Sequence, residues 1–219
     1  FKISLFDNGM HSFNKGLEKL VFYEKNDKKD EFLLKEAIMF LHHGIELLLK
    51  QLLINFGGEH LIFDNIGSDT VKKIISAKRE RISVFNLQKP VHTATYLEVI
   101  QRVKAFINIT ELSESLETRL IELNRIRNNI EHYGIETEKK TVENLLLKIN
   151  HPISKFFMDA GLNLGQENKE KWEELEKVLL LEASRLRAGG SVKRAELNNG
   201  TAIIEYIANY EEYKKLQPQ

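Results

Sequence analysis

The feature that most constrains the fold is a leucine-rich stretch, "EFLLKEAIMFLHHGIELLLKQLLINF", at residues 31 to 56. Its apolar residues Phe32, Leu33, Ala37, Phe40, Leu41, Ile45, Leu48, Leu49, Leu52 and Leu53 recur at helical spacing, not in the alternation of a strand, and predict one helix from Asp30 to Asn55. Gly57-Gly58 supplies its C-terminal stop. So long and apolar a helix must be covered on most sides, which makes it the expected spine of a bundle.

The rest of the chain fits that frame. Prolines occur only at 90, 152 and 218, and Leu, Glu, Lys, Ile and Asn dominate, so the fold class expected is all-α. A first helix from Asn8 to Tyr23 turns Phe13, Leu17, Leu20 and Val21 inward, and the charged segment "EKNDKKD" separates it from the spine. Residues 57 to 95 read as irregular except for a short basic helix in "TVKKIISAKRERI". Helices follow from Tyr96 to Ile109 and from Ser113, where Ser113, Ser115 and Glu117 offer caps, to a stop at Gly134. Two more are expected on either side of His151-Pro152, because proline ends the helix before it and tolerates the first turn of the next. Phe156, Phe157 and Trp172 read as core. "KEKWEELEKVLLLEASRLR" reads as an amphipathic helix with exposed ion pairs, "AGGSVKRAELNNG" as a loop, and "TAIIEYIANYEEYKKL" as a final helix. The expected organisation is a bundle over 1–160 with a helical extension over 161–219 packed on it.

Composition limits the chemistry. Thirty-two Lys and Arg balance 32 Asp and Glu, so no overall field points to nucleic acid or a membrane, and a polyanion site needs local clustering or the pairing of two chains. The absence of cysteine excludes disulfides, thiolate zinc sites and thiol nucleophiles, and suits a reducing cytoplasm. The longest apolar run, "IELLLKQLLINF", is interrupted by Lys50 and Gln51 and falls short of a bilayer span, so the chain is expected to be soluble, with no membrane partner. No phosphate-cradling glycine loop or nucleophile elbow occurs.

Chemistry concentrates in "NRIRNNIEHYG", residues 124 to 134. At about 100° per residue, Leu116, Leu120, Leu123, Ile126 and Ile130 share one apolar stripe, while Arg125, Asn128, Asn129 and His132 share the opposite face. Arg127 projects on the shoulder of the stripe, where its guanidinium either reaches outward or is held by an acid; Glu46 on the spine helix is the candidate partner. His132 occupies the last turn, whose field favours a protonated imidazole, with Tyr133 directly behind. The plainer reading is a solvated helix end whose side chains satisfy the last carbonyls. His42 and Glu46, with His43 beside them, are spaced for a helix-borne metal site, but no third distant ligand stands out, and hydrogen bonding along the helix face is the expected reading, with no metal and no cofactor.

Arg127, the polar Asn128 and His132 with four residues between Arg and His resemble the motif of the HEPN superfamily, and "AIMFLHHGIELLLKQLL" is similar to that family's early helix. Over residues 8 to 160 the resemblance implies an antiparallel helical bundle, here with additional C-terminal helices. It also implies metal-independent endoribonuclease chemistry at the two-fold axis of a homodimer, in a toxin–antitoxin or phage-defence setting with an antitoxin or regulatory protein as a further partner. In that scheme His132 moves a proton, Arg127 holds the phosphate and Asn128 orients either, with Arg125, Glu46 and Tyr133 auxiliary. Arg125 aligns better with His132 but is followed by Ile126, not by a polar residue. The apolar stripe would serve the dimer interface. Lys72, Lys73, Lys78, Arg79 and Arg81 would contact RNA backbone, although such a run is more often a solvated face. The family's other outcome is a non-catalytic module that binds a nucleotide or a protein.

Overall fold

A computed structural model describes residues 3–25, 30–108, 110–133, 138–171, 173–175 and 177, together with the backbone of 192–198 and 201–206. The chain is mostly helical: α1 Leu5–Lys25, α2 Glu31–Gly57, α3 Ser68–Glu80, α4 Tyr96–Phe106, α5 Glu114–His132 and α6 Lys139–Asp159, with 3-10 turns at Glu59–Ile62 and Val84–Asn86. A further helical stretch occupies 165–171. Contacts divide the chain into two units, one of residues 1–13 and 38–164, the other of 14–37 and 165–219.

In the first unit α2 is the spine that its leucines require, with Leu41, Ile45, Leu48, Leu49, Leu52 and Leu53 all buried. By length and composition α2 would pass as a membrane span, with a mean hydropathy of 1.4, so the shortness expected of its apolar run does not hold for the whole helix; yet 61% of that window is buried inside the protein. Close approach of α1 is possible because position 44 is glycine: a Cβ there would stand 2.5 Å from the Phe13 backbone nitrogen. Phe13 in turn meets Phe157 of α6 edge to face, and α5 packs against α6 and α4. Phe156 and Phe157 are core as expected, and Trp172 lies outside the described residues.

Two expectations about the helices fail, one in each unit. Phe32 is 75% exposed and belongs to no core face. The break at His151-Pro152 is absent, and α6 runs through Pro152. A proline inside a helix strips the carbonyl four residues back of its amide donor. Here that carbonyl, of Lys148, accepts a hydrogen bond from Arg119 Nη1 of α5 at 2.9 Å, so a neighbouring helix supplies the missing donor and the helix continues.

Between α2 and α4 the backbone is irregular but tied down. Arg102 of α4 donates from Nη1 to the carbonyls of Leu61 and Phe63 and from Nη2 to that of Asp64. Phe63 and Thr93 form an isolated antiparallel bridge. A capping box between Thr95 and Glu98 starts α4.

The second unit joins 14–37 to the chain after 164. Leu17, Leu20, Tyr23, Leu34, Ala37 and Leu175 are buried, Asn168 Nδ2 donates to Asn14 Oδ1 at 2.8 Å, and Lys171 reaches Glu18 at 3.5 Å. The loop and final helix expected near the end are corrected in part. Strands β1 Val192–Asn198 and β2 Thr201–Tyr206 pair antiparallel, with Ala195 opposite Ile204 and Asn198 opposite Thr201. The physical reason lies in the sequence: Asn-Gly at 199–200 is a hairpin signal, and Thr201, Ile203, Ile204 and Tyr206 beyond it are β-branched and aromatic strand formers. The helical extension expected over 161–219 therefore gives way to a hairpin at 192–206, and residues 207–219 lie outside the described ones.

Candidate functional site

Helix α5 positions the motif. Ser113 caps it, its Oγ accepting from the Leu116 amide at 3.3 Å, and the cap residue at the other end is Tyr133, whose amide donates to the Asn129 carbonyl. Gly134, the expected stop, lies outside the described residues. Leu116, Leu120, Leu123 and Ile126 are buried within the chain itself, and Ile130 is half-buried. The apolar stripe is therefore occupied by the protein's own core and is not left for a dimer partner. One outward face of α5 carries Ile121, Arg125 and His132, all exposed, with Asn128 at the i+7 position from Ile121 on the same face.

Arg127 is indeed held by an acid, but not by Glu46. Its Nη1 pairs with Glu131 one turn further along α5 at 2.6 Å and donates to Asn128 Oδ1 at 2.9 Å. Glu46 instead accepts from Lys50 Nζ at 2.6 Å, because the i, i+4 spacing brings the two together on α2 and burial of the ammonium demands a counter-charge. Arg125 spends both Nε and Nη2 on Glu122, and this hydrogen bonding holds the Glu122 carboxyl below its ordinary range. His132 is exposed at the helix end; its ring meets that of Tyr133 with centroids 6.1 Å apart, and Tyr133 is 88% exposed. Among the described residues no hydrogen bond or ion pair joins His132 to Arg127, as five residues of helix carry the two side chains about 140° apart.

A buried polar seam lies deeper: the hydrogen bonding expected along the His42–Glu46 face is present, with partners that the sequence does not single out. His42 of α2, 3% exposed, donates from Nε2 to Asn124 Oδ1 of α5 at 3.0 Å and stacks on Tyr96 of α4 with ring centroids 4.2 Å apart. Burial pushes the His42 pKa down; the Asn124 bond and the Glu46 carboxylate push it up, and the Arg127 guanidinium pushes it down again. Burial also raises the pKa of the Tyr96 hydroxyl, which has no hydrogen-bond partner among the described residues. Lys50 closes the seam by donating to Thr93 Oγ1 at 3.0 Å. The signal was available as two polar stripes at helical spacing, His42, Glu46 and Lys50 on α2 and Asn124, Arg127, Asn128 and Glu131 on α5. With His42 bound to Asn124, Glu46 to Lys50 and His43 exposed, the spacing suited to a metal serves hydrogen bonds; among the described residues no three potential ligands gather.

On α3, Lys72, Lys78, Arg79 and Arg81 are exposed and Lys73 is half-buried. Lys72 faces Asp69 at 3.5 Å, Lys73 donates to the Pro90 carbonyl, and Arg81 caps the helix in the left-handed conformation at φ 55°.

The chain matches no family model, no curated protein and no solved structure. The likeness to HEPN proteins rests on the motif and the spine helix alone.

Proposed function

We propose that this protein is a metal-independent endoribonuclease that works as a homodimer, of the kind that serves as a toxin or defence effector. The observation that carries the reading is the last turn of α5, where His132 stands free in solvent while Glu131 and Asn128 hold the half-buried Arg127. The outward face of α5, with Ile121, Arg125, Asn128 and His132, would meet its symmetry mate, and the interface moves there from the buried stripe. The reaction needs one group to take the proton of a ribose 2′-hydroxyl, one to protonate the departing 5′-oxygen, and a cation on the phosphate. Two copies of His132 supply base and acid. The 2′-oxygen bonds to phosphorus, the P–O5′ bond breaks, and the products carry a 2′,3′-cyclic phosphate and a 5′-hydroxyl. Arg127 holds the phosphate after releasing Glu131.

The test is RNA cleavage in chelator, with the association state measured alongside. Wild type should cut as a dimer, and His132→Ala and Arg127→Ala should each lose on the order of a hundredfold in rate. Equal cleavage by all three proteins, or none by wild type, removes the proposal. One observation favours the non-catalytic reading: the Arg127 guanidinium is already engaged by Glu131. Glu131→Gln separates the two, raising cleavage several-fold in a ribonuclease and creating none in a binding module.

A further inference from the structure

Helix α3 gives one face to the protein and leaves another open. Thr70 and Ala77 are buried and anchor it. At about 100° per residue, Val71, Lys72, Ile75, Lys78 and Arg79 fall within about 120° of arc, and all five are exposed. No acid shares that arc. Asp69 lies beyond its edge, facing Lys72 at 3.5 Å, and Glu80 accepts from Ser76 Oγ at 2.9 Å. Lys78, Arg79 and Arg81 have no acidic partner among the described residues.

An apolar groove of about 460 Å³ adjoins this crest and is lined by Phe63, Ile74, Ala77, Ile82 and Val84, with Lys78 belonging to both. Its size falls in the range of binding pockets, roughly 300–1,000 Å³. The turn that ends α3 shapes it. Arg81 takes the left-handed conformation at φ 55° and ψ 37°, the only residue besides glycine with positive φ among the described ones. Glycine is the usual occupant of such a position, because a Cβ is strained there. The turn lets the Ile82 amide donate to the Ala77 carbonyl at 3.1 Å and brings Ile82 into the groove lining, yet Ile82 stays exposed, although the apolar contact that accompanies this kind of turn ordinarily covers it. A cation thus stands at a strained position beside an uncovered apolar residue.

We infer that α3 and its groove form a docking surface for an acidic helical segment of a partner protein, with a large apolar side chain seated in the groove beside Ile82 and carboxylates on Lys78, Arg79 and Arg81. Charge complementarity selects the acidic sequence, and a concave apolar pocket selects a protruding anchor. The single acid in the lining, Glu59, comes from the 3-10 turn and not from α3, so the partner's carboxylates belong on the α3 side. An RNA strand would leave Val71 and Ile75 unused and finds no aromatic ring on α3 to stack on. A bilayer does not fill a concavity, and the α3 crest lacks the Trp, Phe and Leu side chains that enter one. No residue of α5 takes part and the readout is binding, so the inference stands or falls apart from the ribonuclease reading.

The experiment is fluorescence anisotropy of a labelled helical peptide of glutamate, alanine and leucine with one central tryptophan, titrated with the 219-residue chain. The comparisons are the same peptide with lysine for glutamate, the same peptide with alanine for tryptophan, a single-stranded RNA, and vesicles of phosphatidylcholine with phosphatidylserine. The acidic peptide should bind saturably, the lysine peptide should not, and loss of the tryptophan should weaken binding about tenfold. Lys78→Glu with Arg79→Glu should abolish binding of the acidic peptide and transfer it to the lysine peptide, and Ile75→Ser should weaken it several-fold with the helical circular dichroism unchanged. Arg81→Gly removes a cation and relieves the left-handed strain, so its unfolding midpoint should rise while binding falls several-fold, a pairing that a purely structural role for Arg81 would not produce. No saturable binding, equal binding of the lysine peptide, variants as tight as wild type, or RNA or vesicles bound more tightly than the acidic peptide overturns the inference. If the charge-reversed chain fails to fold, Arg81→Gly decides.

Discussion

Two turns of the same helix use their polar residues in opposite ways. In the middle of α5, Asn124 is committed to His42 inside the protein; at its end, His132 and Tyr133 are exposed and their rings meet each other. Between them, Arg127 is half-buried and held. The difference is one of exposure and not of residue type, and it separates polar groups that hold the fold from those free to do chemistry. A substitution in the seam should cost stability, and one at the tip should cost the proposed cleavage and little stability.

The largest effect should come from unpairing the seam. Lys50 and Glu46 have side chains only 6% and 22% exposed, so Glu46→Ala leaves a buried ammonium with Thr93 alone and should destabilise the protein by about 3–5 kcal/mol in denaturant unfolding. Replacing both, Glu46→Leu with Lys50→Met, should recover most of that loss. An unaltered unfolding midpoint in the single variant would show that the pair contributes nothing to the fold. At the tip, His132→Ala should leave the unfolding midpoint within about 0.5 kcal/mol of wild type, since surface changes away from such features rarely cost more, while lowering the proposed cleavage by about a hundredfold. A marked loss of stability there would place His132 with the seam.

Smaller effects sharpen the contrast. Asn124→Ala deprives the buried His42 of its acceptor and should cost about 1–3 kcal/mol; an unchanged midpoint would mean that another acceptor, or water, takes over. Arg119→Ala leaves the Lys148 carbonyl beside Pro152 without its donor and should cost about 1 kcal/mol, a loss that Pro152→Ala should suppress by restoring the helical amide. Failure of the second change to suppress the first would sink the account of α6. The mildest test is pH. Burial depresses the His42 pKa in the folded state, so as pH falls below about 6.5 the unfolded chain takes up protons that the folded one does not. The stability tied to this group is complete above about 6.5 and declines as pH drops toward the lowered folded value. His42→Phe should flatten that part of the unfolding profile, and an unchanged slope would assign it to another group.

Much of this was legible along the chain, and the failures have identifiable causes. The leucine period of α2, its glycine stop, the Ser113 cap and the burial of Phe13, Leu17, Leu20 and Val21 are local or periodic signals, and all appear. Asn199-Gly200 ahead of the β-branched Thr201, Ile203 and Ile204 is a hairpin signal in the sequence, and it competes with a helical period in residues 201 to 216. Pro152 misled because the donor that rescues α6 comes from Arg119, 29 residues away by the spacing of Arg119 and Lys148. Arg127 was rightly read as needing an acid, but the nearer Glu131 on its own helix outcompeted Glu46, which Lys50 had already taken.

Periodicity and turn chemistry act between residues a few positions apart, and they specify most of the helices and inward faces of α1 to α5, though not the continuity of α6 or the exposure of Phe32. Which polar side chains meet is another matter. His42 finds Asn124 across 82 residues, and Lys50 finds Thr93 across 43, because helix packing brings those faces together and a buried polar group must take whatever partner the packing delivers. That selection settled which of the motif's residues are engaged inside the protein and left His132 among those exposed at its surface.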